Sequence, residues 1–180
     1  MKIFKKIIIA IAILIAIPLV VALFIKKDYN VEREIIINKP KQEVFDYIKF
    51  LKNQDNYSKW ATIDPAMKKE YKGIDGTVGF ISAWDSKIDD VGKGEQEIMK
   101  IIDGERLDFQ LRFKMPFESN DDAYMTTETI TEYQTKVKWG FKGRMNYPMN
   151  FMLLFMNMEK MLGNDLATGL SNLKKVLENS

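Results

Sequence analysis

The chain has 180 residues and a formal net charge of +2, with 27 Lys and Arg against 25 Asp and Glu; the two signs are interspersed, which argues against nucleic acid as a partner. It contains neither cysteine nor histidine, which excludes disulfides, thiolate nucleophiles and Cys-based metal centres and removes the commonest general base and metal ligand. Any catalysis has to use carboxylates, Lys, Tyr, Ser or Thr, so a non-catalytic protein is the favoured class, and neither a metal nor a cofactor is expected.

Residues 1–6 form a basic tail carrying Lys2, Lys5 and Lys6, and residues 7–25 are an uninterrupted apolar run. As a helix this run reaches roughly 28 Å, close to the hydrocarbon thickness of a bilayer. Pro18 inside it is tolerated better in a membrane helix than in a soluble one. Two readings compete, a single-pass anchor and a cleaved signal peptide. The run exceeds a usual signal core, and its small-residue site (Val20-Val21-Ala22) lies inside it with Leu23-Phe24-Ile25 beyond, which favours the anchor. The lysines of the tail favour a cytoplasmic N-terminus with the domain on the outer side, although Lys26 and Lys27 flank the far end. Residues 26–30 read as a linker and 31–180 as one folded domain of about 150 residues, long enough for a real core.

Val31 to Ile37 alternates as a first strand. Pro40 then sits where a first-turn proline belongs, and Lys41 to Phe50 forms an amphipathic helix with Val44, Phe45, Ile48 and Leu51 on one side. Asn53 to Trp60 suggests a second short helix. From Met67 the pattern turns to strands: Met67–Lys72, Thr77–Asp85 (with Val78, Phe80, Ser82 and Trp84 on one face), a hairpin of Lys93–Ile102 and Arg106–Phe113 turning at Asp103-Gly104, Ala123–Tyr133, and Thr135–Gly143. In the last of these Val137, Trp139 and Phe141 point inward while Lys136, Lys138 and Lys142 form an outward basic row. Asp85–Gly92 and Met115–Asp122 are polar loops. The aspartates of the first lack the spacing of a calcium motif.

From Asn150 the chain reads as one long helix to Asn179. Met158, Met161, Leu162, Leu166, Leu170, Leu173 and Leu177 recur on one face, while its first two turns, Phe151 to Met156, are apolar all round. Gly163 and Gly169 are each unfavourable in a helix by about 1 kcal/mol relative to Ala, so they relieve crowding against the sheet or permit a bend. The whole is an α+β chain in which a curved antiparallel sheet grips one long helix.

The ordered set "VEREIIINKPKQEVFDYI", "NYSKWATIDPAM", "GTVGFISAW", "VGKGEQEI", "TKVKWGF" and "GLSNLKKVLEN" resembles the START-like (SRPBCC) superfamily in its polyketide cyclase/dehydrase-type branch, over about Val31 to Asn179. No single motif is specific; their order carries the resemblance. It implies the Bet v 1-like helix-grip fold, with a hydrophobic cavity between sheet and helix that holds lipids, polyketides or other small apolar molecules. The membrane anchor is an addition to that domain.

On such a fold the expected ligand-lining set is Phe80, Trp84, Phe109, Phe113, Tyr124, Trp139, Phe141, Phe151, Met152, Phe155 and Met158, although the same residues would serve to fill a solid core. The density of methionine suits a surface that adapts to variable apolar partners. The two loops Asp85–Gly92 and Met115–Asp122 would gate entry. If Ile130 points inward, strand parity brings Glu128 inward as well, where a buried carboxylate could act as general acid or base; Gln96 likewise shares a face with Ile98, and Tyr124 and Tyr147 are candidate hydroxyl donors. Three readings follow: a membrane-anchored module binding a hydrophobic small molecule; a cyclase or dehydratase using Glu128 or a tyrosine; and an interaction module whose Met-rich patch docks on a membrane or a partner. The last predicts a filled core.

Overall fold

A computed structural model describes residues 2–179. Helix α1 (Lys2–Ala22) leads through a short connection into β1 (Asp28–Ile37). Then come α2 (Lys41–Ile48), a 3-10 turn at Leu51–Asn56 and α3 (Lys59–Ile63). Six strands follow: β2 (Lys68–Lys72), β3 (Ile81–Asp85), β4 (Lys93–Ile102), β5 (Arg106–Met115), β6 (Ser119–Thr131) and β7 (Gln134–Arg144). A 3-10 turn at Met149–Leu154 and helix α4 (Met158–Glu178) close the chain. The strands form one antiparallel sheet in the order β1-β7-β6-β5-β4-β3-β2, curved around α4.

Helix α4 buries Gly163, Leu166, Gly169, Leu170, Leu173 and Leu177, the stripe that three- and four-residue spacing predicts. Its two glycines are explained by what lies opposite. A Cβ on Gly169 would come within 2.7 Å of the Trp139 ring, and one on Gly163 within 2.0 Å of the Arg33 guanidinium. Both therefore relieve crowding against the sheet. Arg33 uses the space to donate to the Glu159 backbone carbonyl at 2.9 Å and to its carboxylate at 2.5 Å, tying β1 to the first turn of α4.

Several elements differ from the sequence reading. Strand β1 begins at Asp28, so residues 28–30 pair with β7 instead of belonging to a linker, and the helix expected over residues 53–60 is a 3-10 turn at Leu51–Asn56 followed by α3. The C-terminal helix does not run from Asn150: the chain forms a 3-10 turn, opens, and restarts at Met158, where the Asn157 side chain accepts the Lys160 N–H at 2.9 Å. An asparagine that satisfies an orphan N–H starts a helix at that point, and the all-round apolar turns before it have no single face to bury. The third strand begins at Ile81, because Thr77, Val78 and Gly79 form a turn with Gly79 at φ +86°, leaving Val78 exposed. Strand β6 begins at Ser119 and ends at Thr131, four residues earlier at its start than alternation suggested.

Helix α1 is long and apolar enough to cross a membrane, and none of its apolar window is buried inside the protein.

Candidate functional site

The inward face of the sheet divides across its width. Toward the end carrying α2, Phe109 on β5, Ile98 on β4, Met125 on β6 and Val137 on β7 are fully or almost fully buried and pack with Phe45, Ile48 and the α4 residues Leu170, Leu173 and Leu177. One step along each strand toward the other end, Leu111, Gln96, Ala123 and Trp139 line a cavity instead. Its volume is about 1080 Å³. The helical wall changes character in the same way, since Met158, Leu162 and Leu166 face the cavity. One half of the grip is packed and the other is hollow.

Of the expected lining set, the structure brings Trp84, Phe113, Trp139, Phe141, Met152 and Met158 together around this cavity. Phe80 and Phe109 point inward but lie in the packed half, each 1% exposed. Phe151 and Phe155 pack on each other, ring centres 5.3 Å apart, outside the lining, because the helix that was to aim them at the sheet does not extend that far back. Tyr124 is on the outer face of β6: its ring lies over Gly140, Arg106 sits on the ring, and its hydroxyl donates to Glu32. Alternation from the buried Ala123 and Met125 places it there.

The same parity removes Glu128. Met125 and Thr127 face inward, so Glu128 and Ile130 face outward; Ile130 is 41% exposed, and Glu128 pairs with Lys136 at 3.1 Å. The condition that would have carried Glu128 inside fails. Gln96 does line the cavity as the parity of Ile98 required, Tyr147 is at its rim, and residues of both expected loops, Asp89 to Val91 and Met115 to Asp121, border it.

Residues that sequence reasoning did not assign complete the site. Trp60 on α3 stands edge-on to Trp139 at 6.3 Å, and Tyr57 does so at 5.7 Å. With Trp84, all three tryptophans of the chain line the cavity. Charged and polar lining residues are concentrated in the two loops and the strand ends beside them, Asp89, Asp90, Arg112, Lys114, Glu118 to Asp121, Arg144 and Asn146; elsewhere the lining holds Gln54, Ser58, Ser82 and Gln96, together with Asp55, which pairs with Lys69 at 2.6 Å. Gln54 Nε2 is fully buried with no hydrogen-bond partner among the described residues, a costly arrangement. Leu111 was readable from the β5 alternation, but nothing in the pattern marked Gln54 or Tyr29. Among the described residues no cluster of acidic side chains is arranged to hold a metal ion.

Tyr29 lines the cavity and stacks on Phe141 at 6.2 Å. Burial, and then the negative charge of Asp121, push its hydroxyl up to about 12. Tyr124 is likewise pushed up to about 12, by burial and then by its bond to Glu32, and burial raises Tyr57 further. A tyrosine in the unfolded chain loses its proton near 10, so between pH 10 and 12 the folded state holds more protons than the unfolded one. Stability is therefore full below pH 10 and is lost as pH rises through that window. With no histidine in the chain, the melting temperature is expected to be flat from pH 6 to 9 and to fall beyond pH 10. In a thermal-melt series, Tyr29→Phe should flatten that fall; an unchanged slope would refute the assignment.

Sheet, gripped helix and apolar cavity define the Bet v 1-like helix-grip fold. No family model and no curated protein sequence matches the chain, whereas solved structures do. Truncated norcoclaurine synthase from Thalictrum flavum is similar over 87% of this chain and 98% of its own, with a TM-score of 0.63 at 9% identity. The Aha1 dimer from Colwellia psychrerythraea is similar over 83% and 96%, with 0.58 at 16%. Ara h 8.0201 is similar over 85% and 99%, with 0.55 at 12%. At these identities the likeness is one of fold.

Proposed function

We propose that this is a membrane-anchored helix-grip protein that takes up one hydrophobic small molecule, lipid or polyketide-like, without acting on it chemically. The observation that carries this reading is the cavity of about 1080 Å³ walled by three tryptophans, in a fold whose other half is closely packed. That volume is at the upper end of sites that enclose a small ligand. Uptake is driven by removing apolar ligand surface from water, at roughly 25 cal/mol per Å².

A cyclase or dehydratase has less support. Glu128 lies on the outer face, and Asp55 is committed to Lys69. The buried Asp121 already accepts from Ser119 and from the Arg144 N–H, and Tyr29 keeps its proton far above neutral pH. An interaction module without a functional cavity calls for a filled core, which the hollow half contradicts.

The three lining tryptophans make the test direct. The full chain in lipid nanodiscs is titrated with a fluorescent fatty acid, then with a panel of apolar competitors. Saturable quenching of tryptophan emission at one probe per chain, reversed by a competitor, is the expected result. Quenching that never saturates and is reversed by nothing in the panel would overturn the binding reading.

A further inference from the structure

We propose that the mouth of the cavity docks on the same bilayer that holds α1, so that ligand passes between the acyl layer and the cavity without crossing water. This rests on the anchored, ligand-binding reading above and adds where the ligand enters.

Strand register sets the geometry. Asp28 pairs with Arg144, Phe113 with Ser119, and Asp85 with Lys93. The start of β1, the loop after β3, the loop between β5 and β6, and the exit from β7 are therefore all at one end of the sheet. This is the hollow end, and α1 arrives there.

The connection leaves little freedom. Only residues 23–27 lie between α1 and β1, a span of about 20 Å even if fully extended, and they are not extended. Leu23 and Phe24 fold back to donate to Val20 and Val21. The Asn150 side chain, completely buried, donates to the Ala22 carbonyl at 2.7 Å and the Ile25 carbonyl at 3.0 Å, and Met145 N–H donates to the Lys27 carbonyl at 2.8 Å. The segment that borders the cavity is thus bonded to the end of the apolar helix. A bilayer around α1 lies against the cavity mouth.

What the mouth presents fits that neighbour. Phe24, Phe117 and Phe155 are 84%, 73% and 72% exposed, and Leu23, Met115 and Leu154 are all more than half exposed. Met115 and Phe117 line the cavity, as do Met149 and Met152 in the turn tied to α1. Single exposed apolar side chains are ordinary; a group of large ones at one end of a domain, continuous with a membrane helix, is a buried surface lacking its partner. Lys26 and Lys27 follow at headgroup level, their stems alongside the apolar layer. Asp89, Asp90 and Glu118 share this end with Lys114 and Arg144, so the two signs offset one another and the contact works by apolar insertion without depending on anionic lipid.

The absence of cysteine makes a site-by-site test clean. Full-length Phe117→Cys, Phe155→Cys, Tyr133→Cys and Ile13→Cys chains, each labelled with a bimane fluorophore, are placed in phosphatidylcholine vesicles containing spin-labelled lipid. Tyr133 is the reference: it is 63% exposed and lies at the β6–β7 hairpin, the opposite end of the sheet. Labels at positions 117 and 155 should be quenched severalfold more than the label at 133, with or without anionic lipid, and the label at 13 should be quenched most by deep spin labels. Quenching at 13 with 117 and 155 no different from 133 would overturn the docking proposal and leave the anchor standing. No quenching at 13 would overturn the anchor and docking together, while the tryptophan titration still decides whether the cavity binds.

Discussion

Trp139→Ala is expected to destabilise the domain by about 3–5 kcal/mol, as large aromatic truncations in a packed site do, and to weaken probe uptake at least tenfold. Trp139 is 5% exposed and stands at the border between the packed and hollow halves. Its indole meets Tyr57 and Trp60 edge-on and fits against Gly169, the helix position where a Cβ has no room. Removing it deletes the contact surface of three elements and leaves a void that these rigid neighbours cannot close. Loss of binding alone would be ambiguous, since a loosened domain binds nothing. The converse substitution resolves this. Leu111→Trp adds volume on the β5 face that borders the cavity, where overpacking has empty space to enter, so denaturant unfolding should change by less than about 1.5 kcal/mol. The same variant should weaken saturable tryptophan quenching by the probe severalfold. A folded Leu111→Trp chain whose affinity for the probe is unchanged would show that the cavity is not the binding site.

The face each strand turns inward was legible in the sequence; the depth at which a side chain sits was not. Alternation in β5 and β7 correctly aims Leu107, Phe109, Leu111, Phe113, Val137, Trp139 and Phe141 at the helix. A period of two says nothing about position along the strand axis, and that position separates the packed Phe109 from the cavity-lining Phe113. Parity also carries errors forward. An inward Ile130 would place Glu128 inside, whereas counting from Met125 places it outside; an apolar residue near a hairpin end is a poor origin for the count. The helix start failed for a different reason. Phe151 to Met156 are apolar, but helical phase needs a face, and an all-round apolar turn has none; the Asn157 cap was the better signal. Gln54 and Asn150 gave no sequence signal at all. Asn150 matters through one side-chain amide, set by tertiary contacts more than a hundred residues distant.

A pair of identical truncations on α4 tests the division into packed and hollow halves without any ligand. Leu173→Ala should cost about 2–5 kcal/mol, whereas Leu162→Ala, on the same stripe three turns earlier, should cost less than about 1.5 kcal/mol. Both replace leucine by alanine inside one helix, so the propensity difference is small and common to both. Leu173 is fully buried among core residues, while Leu162 is only partly buried and borders the cavity. Truncating the first creates a new void in close-packed surroundings; truncating the second enlarges a space that already exists and loses mainly the transfer term for the atoms removed. Saturating ligand should narrow the contrast. Ligand adds RT ln(1 + [L]/Kd) to the stability of any chain that binds it, and Leu162, in contact with that ligand, then loses more on truncation while Leu173 does not. Denaturant curves for the two variants with and without the fluorescent fatty acid give all four numbers. Equal costs in the unliganded chains would mean that α4 is gripped uniformly along its length, and the hollow half would have to be filled by something other than a ligand.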